Sequence, residues 1–266
     1  MPNLTLYHAA PSRSSIVLWM LEELGQPYEL KLLSLKQGDN LKPEYLAINP
    51  MGKVPALRHG DTVITEAAAI CTYLADEFPQ AKLNVPIGTP RRGVYLKWLF
   101  FGPSVIEPAM TDRAFPRKEA PRASSLGWRD FDTVLDIVSK ALAKGPYLMG
   151  EQFTAADVTL GSGLRYGMMF KLVPERKEFL DYAARLAARP AAQRAQAKDK
   201  ELAAQAALHY GAWRKASWRA RSSSRTRLRT SCGTDGKCRF KQARGSPRHQ
   251  RARRQAGLAH RRQNPN

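Results

Sequence analysis

The chain has 266 residues, long enough for one large domain or two smaller ones with ample core. Its formal charge of +20 would suit a polyanion partner, but residues 1–210 carry 26 Lys+Arg against 22 Asp+Glu. Residues 211–266 carry 17 Lys+Arg against the single acid Asp235, so the basicity belongs to a tail and excludes a uniformly basic body.

At the N-terminus no basic segment leads into a long apolar stretch, and no uncharged run of about 18 residues is long enough to span a bilayer. Three cysteines, Cys71, Cys232 and Cys238, make no disulfide framework. These features fit a soluble protein of a reducing cytoplasm, with no membrane partner.

Leu4–His8 (LTLYH) alternates as a strand does, and Arg13–Leu24 is almost wholly apolar after a polar start. Gly25 and Pro27 stop that helix. Tyr28–Leu35 reads as a second strand, parallel to the first through the helical crossover. VPAL and TVIT are two further short strands joined by the turn signal His59-Gly60-Asp61. A helix is predicted from about Glu66 to Glu77, with Ile70, Leu74 and Phe78 on its buried face. Residues 1–79 thus form a compact α/β domain of order βαβ-ββα.

The proline-rich segment 80–90 reads as a linker. Beyond it the pattern is helical, over roughly 91–112, 123–144, 154–171 and 175–189, with another helix after Pro190. Residues 91–207 are therefore expected to form an all-α domain. Within it, FTAADV carries an N-cap at Thr154 and a returning carboxylate at Asp157, a capping box flanked by Phe153 and Val158. A catalytic acid is the other role open to Asp157.

Five stretches, LYHAAPSRSS, LEELGQPYEL, NPMGKVPAL, ITEAAAICTYLADEF and FTAADVTL, occur in order across residues 3 to about 205. Together they resemble the cytosolic glutathione S-transferases, of the bacterial serine-type kind. The resemblance implies a thioredoxin-like N-terminal domain, an α-helical C-terminal domain, a homodimer and a role in detoxification. It also implies glutathione as co-substrate, attacking a small hydrophobic electrophile.

The residue types suit that task. A thiol reacts as its thiolate, which a hydroxyl donor and a helix N-terminus both favour. The segment Pro11–Ser15 offers both, with Ser12 the first candidate from its spacing after Tyr7. Counted back from Gly25 the register slips by one, which keeps Ser14, or Ser15, as the alternative. Arg13 adds a cation, to the thiolate or simply to solvent. Any of these serines could also cap the helix.

In KVPAL the resemblance implies a cis bond before Pro55, which turns the Val54 backbone outward to pair with the cysteinyl part of glutathione. Lys53 is then the partner of the glycyl carboxylate, or simply a solvated lysine beside a strand. In TEAAAI the resemblance implies Glu66 as partner of the γ-glutamyl ammonium and the helix N-terminus as the seat of its carboxylate. The family has Ser where this chain has Ala67, so one hydroxyl donor is missing. Tyr95, Trp98, Phe101, Tyr166 and Met169 are the candidate electrophile pocket by position, though aromatics at helical spacing also make ordinary core.

Without a cysteine in Pro11–Ser15, thiol exchange lacks its attacking group. Cys232 and Cys238 lack the spacing and histidines of a zinc site, so no metal is expected. Two other functions stay open: a non-catalytic binding module of this fold, and a nucleic-acid binder using the tail. The tail, 208–266, reads as disordered. Its arginine-rich text fits either the translation of a shifted reading frame or a genuine basic arm for nucleic acid or acidic lipid.

Overall fold

The computed structural model describes residues 3–119 and 121–206. The basic tail, with the two readings made of it, lies outside the described residues. Strand β1 (Leu4–His8) buries Leu4, Leu6 and His8 and leaves Thr5 and Tyr7 half-buried, as its alternation dictates. Helix α1 (Ser14–Leu24) follows, and nearly every residue from Ile16 to Leu21 is buried. Gly25 ends it at φ 66°, where its N–H donates to Leu21 O at 3.2 Å.

Strand β2 (Glu29–Leu32) pairs parallel with β1, while β3 (Ala56–His59) and β4 (Thr62–Thr65) add on antiparallel, giving the order β2-β1-β3-β4. A one-turn helix, α2 (Pro43–Leu46), lies between β2 and β3 and has no counterpart in the sequence expectation. Helix α3 (Ala67–Glu77) packs against α1. This mixed four-stranded sheet with its helices is the thioredoxin-like arrangement.

The remaining described residues are helical: α4 (Arg91–Phe101), a π-helical stretch (Gly102–Ile106), α5 (Glu107–Ala114), α6 (Phe131–Leu142), α7 (Ala155–Met169) and α8 (Lys177–Ala187). A last helix, α9, covers residues 190–206. The helix expected from residue 123 starts only at Phe131, because Asp130 takes extended backbone and its Oδ1 accepts the Thr133 N–H at 2.7 Å. Residues 123–125 form just a 3₁₀ turn.

Helix α7 runs through the core, against α1, α3, α4 and α8. The capping box of Thr154 and Asp157 opens it. The fully buried Asp157 also accepts hydrogen bonds from Leu148 N at 2.9 Å and Tyr182 Oη at 2.8 Å. Burial pushes its carboxyl pKa up, against the pull of those donors. The carboxylate is a tie between helices, remote from solvent, and not an acid presented to a substrate.

Candidate functional site

The loop after β1 sets the first part of the site. The Ala10–Pro11 peptide bond is cis, and the first turn of α1 closes from Ser12, whose carbonyl accepts the Ser15 N–H at 3.1 Å. Ser12 Oγ accepts the Ser14 N–H at 3.1 Å and lies 2.7 Å from Ser14 Oγ. Capping is thus shared between a backbone carbonyl and a hydroxyl, and the half-buried Ser12 still borders a cavity.

Ser14 differs sharply from it. It is fully buried, held by Ala9 N at 3.1 Å and His8 Nδ1 at 2.8 Å, so its hydroxyl has no surface to offer a ligand. The Ser15 hydroxyl donates to the Asp199 carboxylate at 3.0 Å to each oxygen. Of the three serines, Ser12 alone borders the largely apolar cavity described below.

Between β2 and β3, the Lys53 carbonyl is gripped by Tyr45 Oη at 2.6 Å and Asn49 Nδ2 at 2.8 Å. Gly52, at φ 60°, allows this tight approach; a Cβ there would come within 3.0 Å of Asn40 O. The Val54–Pro55 bond is cis, and Val54 precedes the β1–β3 ladder, whose pairing reaches only to Ala56. Glu66 precedes α3 at φ 67° and ψ 117°, a backbone region that non-glycine residues avoid and that concentrates at functional sites.

These pieces converge. Lys53, Val54, Pro55, Glu66 and Ala67 line one cavity of about 600 Å³, with Arg13 and Glu107 on its other side. The N-terminal turn of α3 (Ala67, Ala68, Ala69) faces it, presenting the free backbone N–H groups and positive dipole end that bind carboxylates. Two cations, two anions, a helix N-terminus and a strand end suit a small, extended, zwitterionic peptide.

A second cavity of about 340 Å³ is bordered by Pro11, Ser12, Met110, Phe115, Tyr166 and Met169, among others. It shares Arg13, Ile16, Glu107 and Gly163 with the first, so the two are contiguous. At their junction Arg13 Nε donates to Glu107 Oε2 at 2.7 Å. Arg13 is therefore engaged in an ion pair and not simply a solvated cation. The two cavities thus abut at Arg13 and Glu107, and the Ser12 hydroxyl lies on the largely apolar one.

Three of the five pocket candidates lie elsewhere. Tyr95 and Trp98 are buried core residues of α4, and Phe101 packs beside Trp98 at 5.4 Å between ring centroids. None of the three borders either cavity. Tyr166 and Met169 do, and Tyr166 Oη lies 3.4 Å from Ser12 O. The wall that sequence reasoning missed is a single helical stripe of Phe100, Ser104, Glu107 and Thr111, at spacings of four and three. That periodicity was available once the α4–α5 run was accepted as helix.

Residues 2–76 match the family described as glutathione S-transferase, N-terminal domain, and residues 110–166 match the glutathione S-transferase, C-terminal domain. Glutathione S-transferase GstA of Escherichia coli O157:H7 is 32% identical over 181 residues, covering 65% of this chain and 87% of that protein. The chain belongs to the glutathione S-transferase family. Among solved structures, a glutathione transferase from Methylococcus capsulatus is similar at 33% identity and TM-score 0.62, covering 74% of this chain and 98% of the other. A transferase homolog from Sulfitobacter, solved with bound glutathione, is 28% identical at TM-score 0.62 over 76% of this chain and all of its own.

In this member of the family no helix among the described residues is long and apolar enough to cross a membrane. Among the same residues no group of three His, Cys, Asp or Glu could hold a metal ion. Cys71 is buried in α3, where burial pushes its thiol pKa up, the opposite of a reactive cysteine.

Proposed function

We propose that the protein conjugates the glutathione thiolate to a small hydrophobic electrophile. The observation that carries this is the clustering of Lys53, Val54, Pro55, Glu66 and Ala67 around one cavity, contiguous through Arg13 and Glu107 with an apolar one that Ser12 lines. In this reading Lys53 meets the glycyl carboxylate and the Val54 backbone pairs with the cysteinyl segment. Glu66 takes the γ-glutamyl ammonium, and the Ala67 N–H takes its carboxylate. The Ser12 hydroxyl donates to the sulfur and holds it as the thiolate, helped by the N-terminus of α1. The electrophile sits against Tyr166 and Met169.

The enzyme's contribution is then to lower the thiol pKa and to hold two reactants side by side. Glutathione-bound relatives support the identity of the thiol. The proposal includes a glutathione-binding domain over 1–79, a linker over 80–90 and a helical domain over 91–207. It also includes a homodimer working in detoxification in the cytoplasm, as the family resemblance implies.

The test is retention on immobilised glutathione followed by turnover with an aryl halide. A hydrogen bond to a charged group is worth about 1.5–3 kcal/mol, and a thiol of ordinary pKa is about 3% ionised at pH 7, so Ser12→Ala should lower kcat at pH 7 by roughly 10- to 30-fold with little change in KM for glutathione. A wild-type protein that fails to bind glutathione sinks the reading. Retention without turnover would favour a binding module instead.

A further inference from the structure

Behind Ser12 a line of polar groups runs into the protein. Ser12 Oγ is 2.7 Å from Ser14 Oγ, Ser14 Oγ is 2.8 Å from His8 Nδ1, and His8 Nε2 is 3.1 Å from Asp199 Oδ1 on α9. His8 and Ser14 are both fully buried, so water does not compete for these contacts. The Nε2 contact is off the line of a good hydrogen bond, so Asp199 acts on the ring as a charge rather than as an aligned acceptor. Among the described residues Asp199 is the charged side chain paired with His8. Asp39, across the small cavity beside His8, is held by Lys42 and Ser34.

The surrounding bonds fix what this line can do. Ser14 Oγ accepts the Ala9 N–H, and Ser12 Oγ accepts the Ser14 N–H. Ser14 Oγ also lies 3.3 Å from Ala9 O, a longer contact than the 2.7 and 2.8 Å along the line, so each hydroxyl proton points along the line, in one direction or the other. With neutral His8 carrying its proton on Nε2, beside Asp199, both hydroxyls point inward and Ser12 offers the cavity only an acceptor. With His8 protonated on both nitrogens, both hydroxyls point outward and Ser12 offers the cavity a proton.

We propose that His8, Ser14 and Asp199 form a relay that carries the proton of the glutathione thiol away from Ser12 and turns the Ser12 hydroxyl toward the thiolate. The inference rests on the reading that glutathione sulfur sits at Ser12. The S–H bond breaks as its proton passes to Ser12 Oγ. The Ser12 proton passes to Ser14 Oγ, and the Ser14 proton forms the new N–H bond at His8 Nδ1. The products are a thiolate and an imidazolium, with no change in oxidation state. The imidazole nitrogen is the base at the inner end of the line, and the Asp199 carboxylate lies on the far side of the ring. When the conjugate leaves, the proton is released to water, to which Asp199 is partly open. His8, Ser14 and Asp199 act through Ser12, so they are positioning residues.

An ordinary thiol of pKa about 8.5 is about 3% ionised at pH 7, which caps the benefit of the relay at roughly 30-fold. The experiment reads the ionisation of enzyme-bound glutathione by thiolate ultraviolet absorbance against pH, together with kcat and KM, in wild type, Asp199→Asn, His8→Gln and the double variant. Circular dichroism checks that each variant is folded. The expected result for Asp199→Asn is a bound-thiol pKa raised toward that of free glutathione. Its kcat should fall by up to about 30-fold at pH 7 and recover above about pH 9, with KM unchanged. His8→Gln should do the same, and the double variant should lose no more than the worse single one. A wild-type thiol pKa and pH profile in Asp199→Asn overturns the relay, as does additive loss in the double variant. Absence of a thiolate signal in the wild type overturns the underlying reading and the relay with it.

Discussion

Ala67 stands at the first position of α3, half-buried at the rim of the polar cavity, where its backbone N–H is one of the groups left free by the helix start. A serine at this position adds a donor aimed at the γ-glutamyl carboxylate of the proposed glutathione site without disturbing the helix, since its neighbours Ala68 and Ala69 already carry that turn. One neutral hydrogen bond is worth about 0.5–1.5 kcal/mol, so Ala67→Ser should tighten glutathione by roughly 2- to 12-fold in calorimetry. Unchanged or weaker binding would remove Ala67 from the carboxylate site. Residues of this kind were legible in the sequence because their signal is local. A polar residue before an apolar run, or a proline opening a strand, identifies a helix start or a turn wherever the chain goes. His8 with Asp199, and Arg13 with Glu107, leave no such mark: the second pair is 94 residues apart, and only the folded chain brings the groups together.

At the scale of elements, the phase of a helix decides more than its existence. One helix was expected over roughly 91–112, where the structure has α4, the π-helical stretch from Gly102 to Ile106 and α5, and which aromatics face the cavity depends on rotation about that axis. Tyr95 and Trp98 are buried in the core, while Phe100 and Ser104 reach the cavity. The seating of α9 on α1 is likewise a matter of non-local charge. Glu22, nearly buried on α1, accepts hydrogen bonds from Tyr28 Oη at 2.5 Å, Arg194 Nε at 2.8 Å and Lys198 Nζ at 2.5 Å. Burial raises its carboxyl pKa, but the donors Lys198, Tyr28 and Arg194 outweigh that and leave it below the ordinary 4.5. Asp76 behaves the same way: burial raises it, and hydrogen bonds from Arg92 on α4 and from Asn84 bring it below 3.8. Because both folded-state values are depressed, their stabilisation is complete above the unfolded values and is lost as pH falls through the folded ones. The melting temperature should hold from neutrality down to about pH 5 and decline below about 4.5, as calorimetry would register. Glu22→Gln should start lower and show a shallower acid decline. Identical acid dependence in the two proteins would mean that the Glu22 cluster does not link α1 to α9 in solution.

Across the whole molecule, charge and chemistry are segregated. The described residues that line the two cavities, and the line from Ser12 to Asp199, fall within a nearly balanced body, whereas residues 211–266 hold 17 of the 43 Lys+Arg and one acid. The preceding 210 residues are nearly balanced, so attraction to a polyanion must come almost entirely from the tail, and it must weaken steeply with salt as counterions compete. In the proposed reading conjugation asks nothing of that charge: its reactants meet short-range contacts inside the two cavities, where screening by bulk salt is small. A chain ending at Tyr210 should therefore keep its kcat and its glutathione affinity within about twofold, and should lose the salt-sensitive retention on heparin expected of the full chain. The cut leaves Asp199 and the Arg194 and Lys198 contacts to α1 intact, so a loss of conjugation in the shortened chain would mean that residues beyond 210 contribute to the site or to the seating of α9. Retention on heparin that survives the cut would assign polyanion binding to the body, against its near-neutral balance.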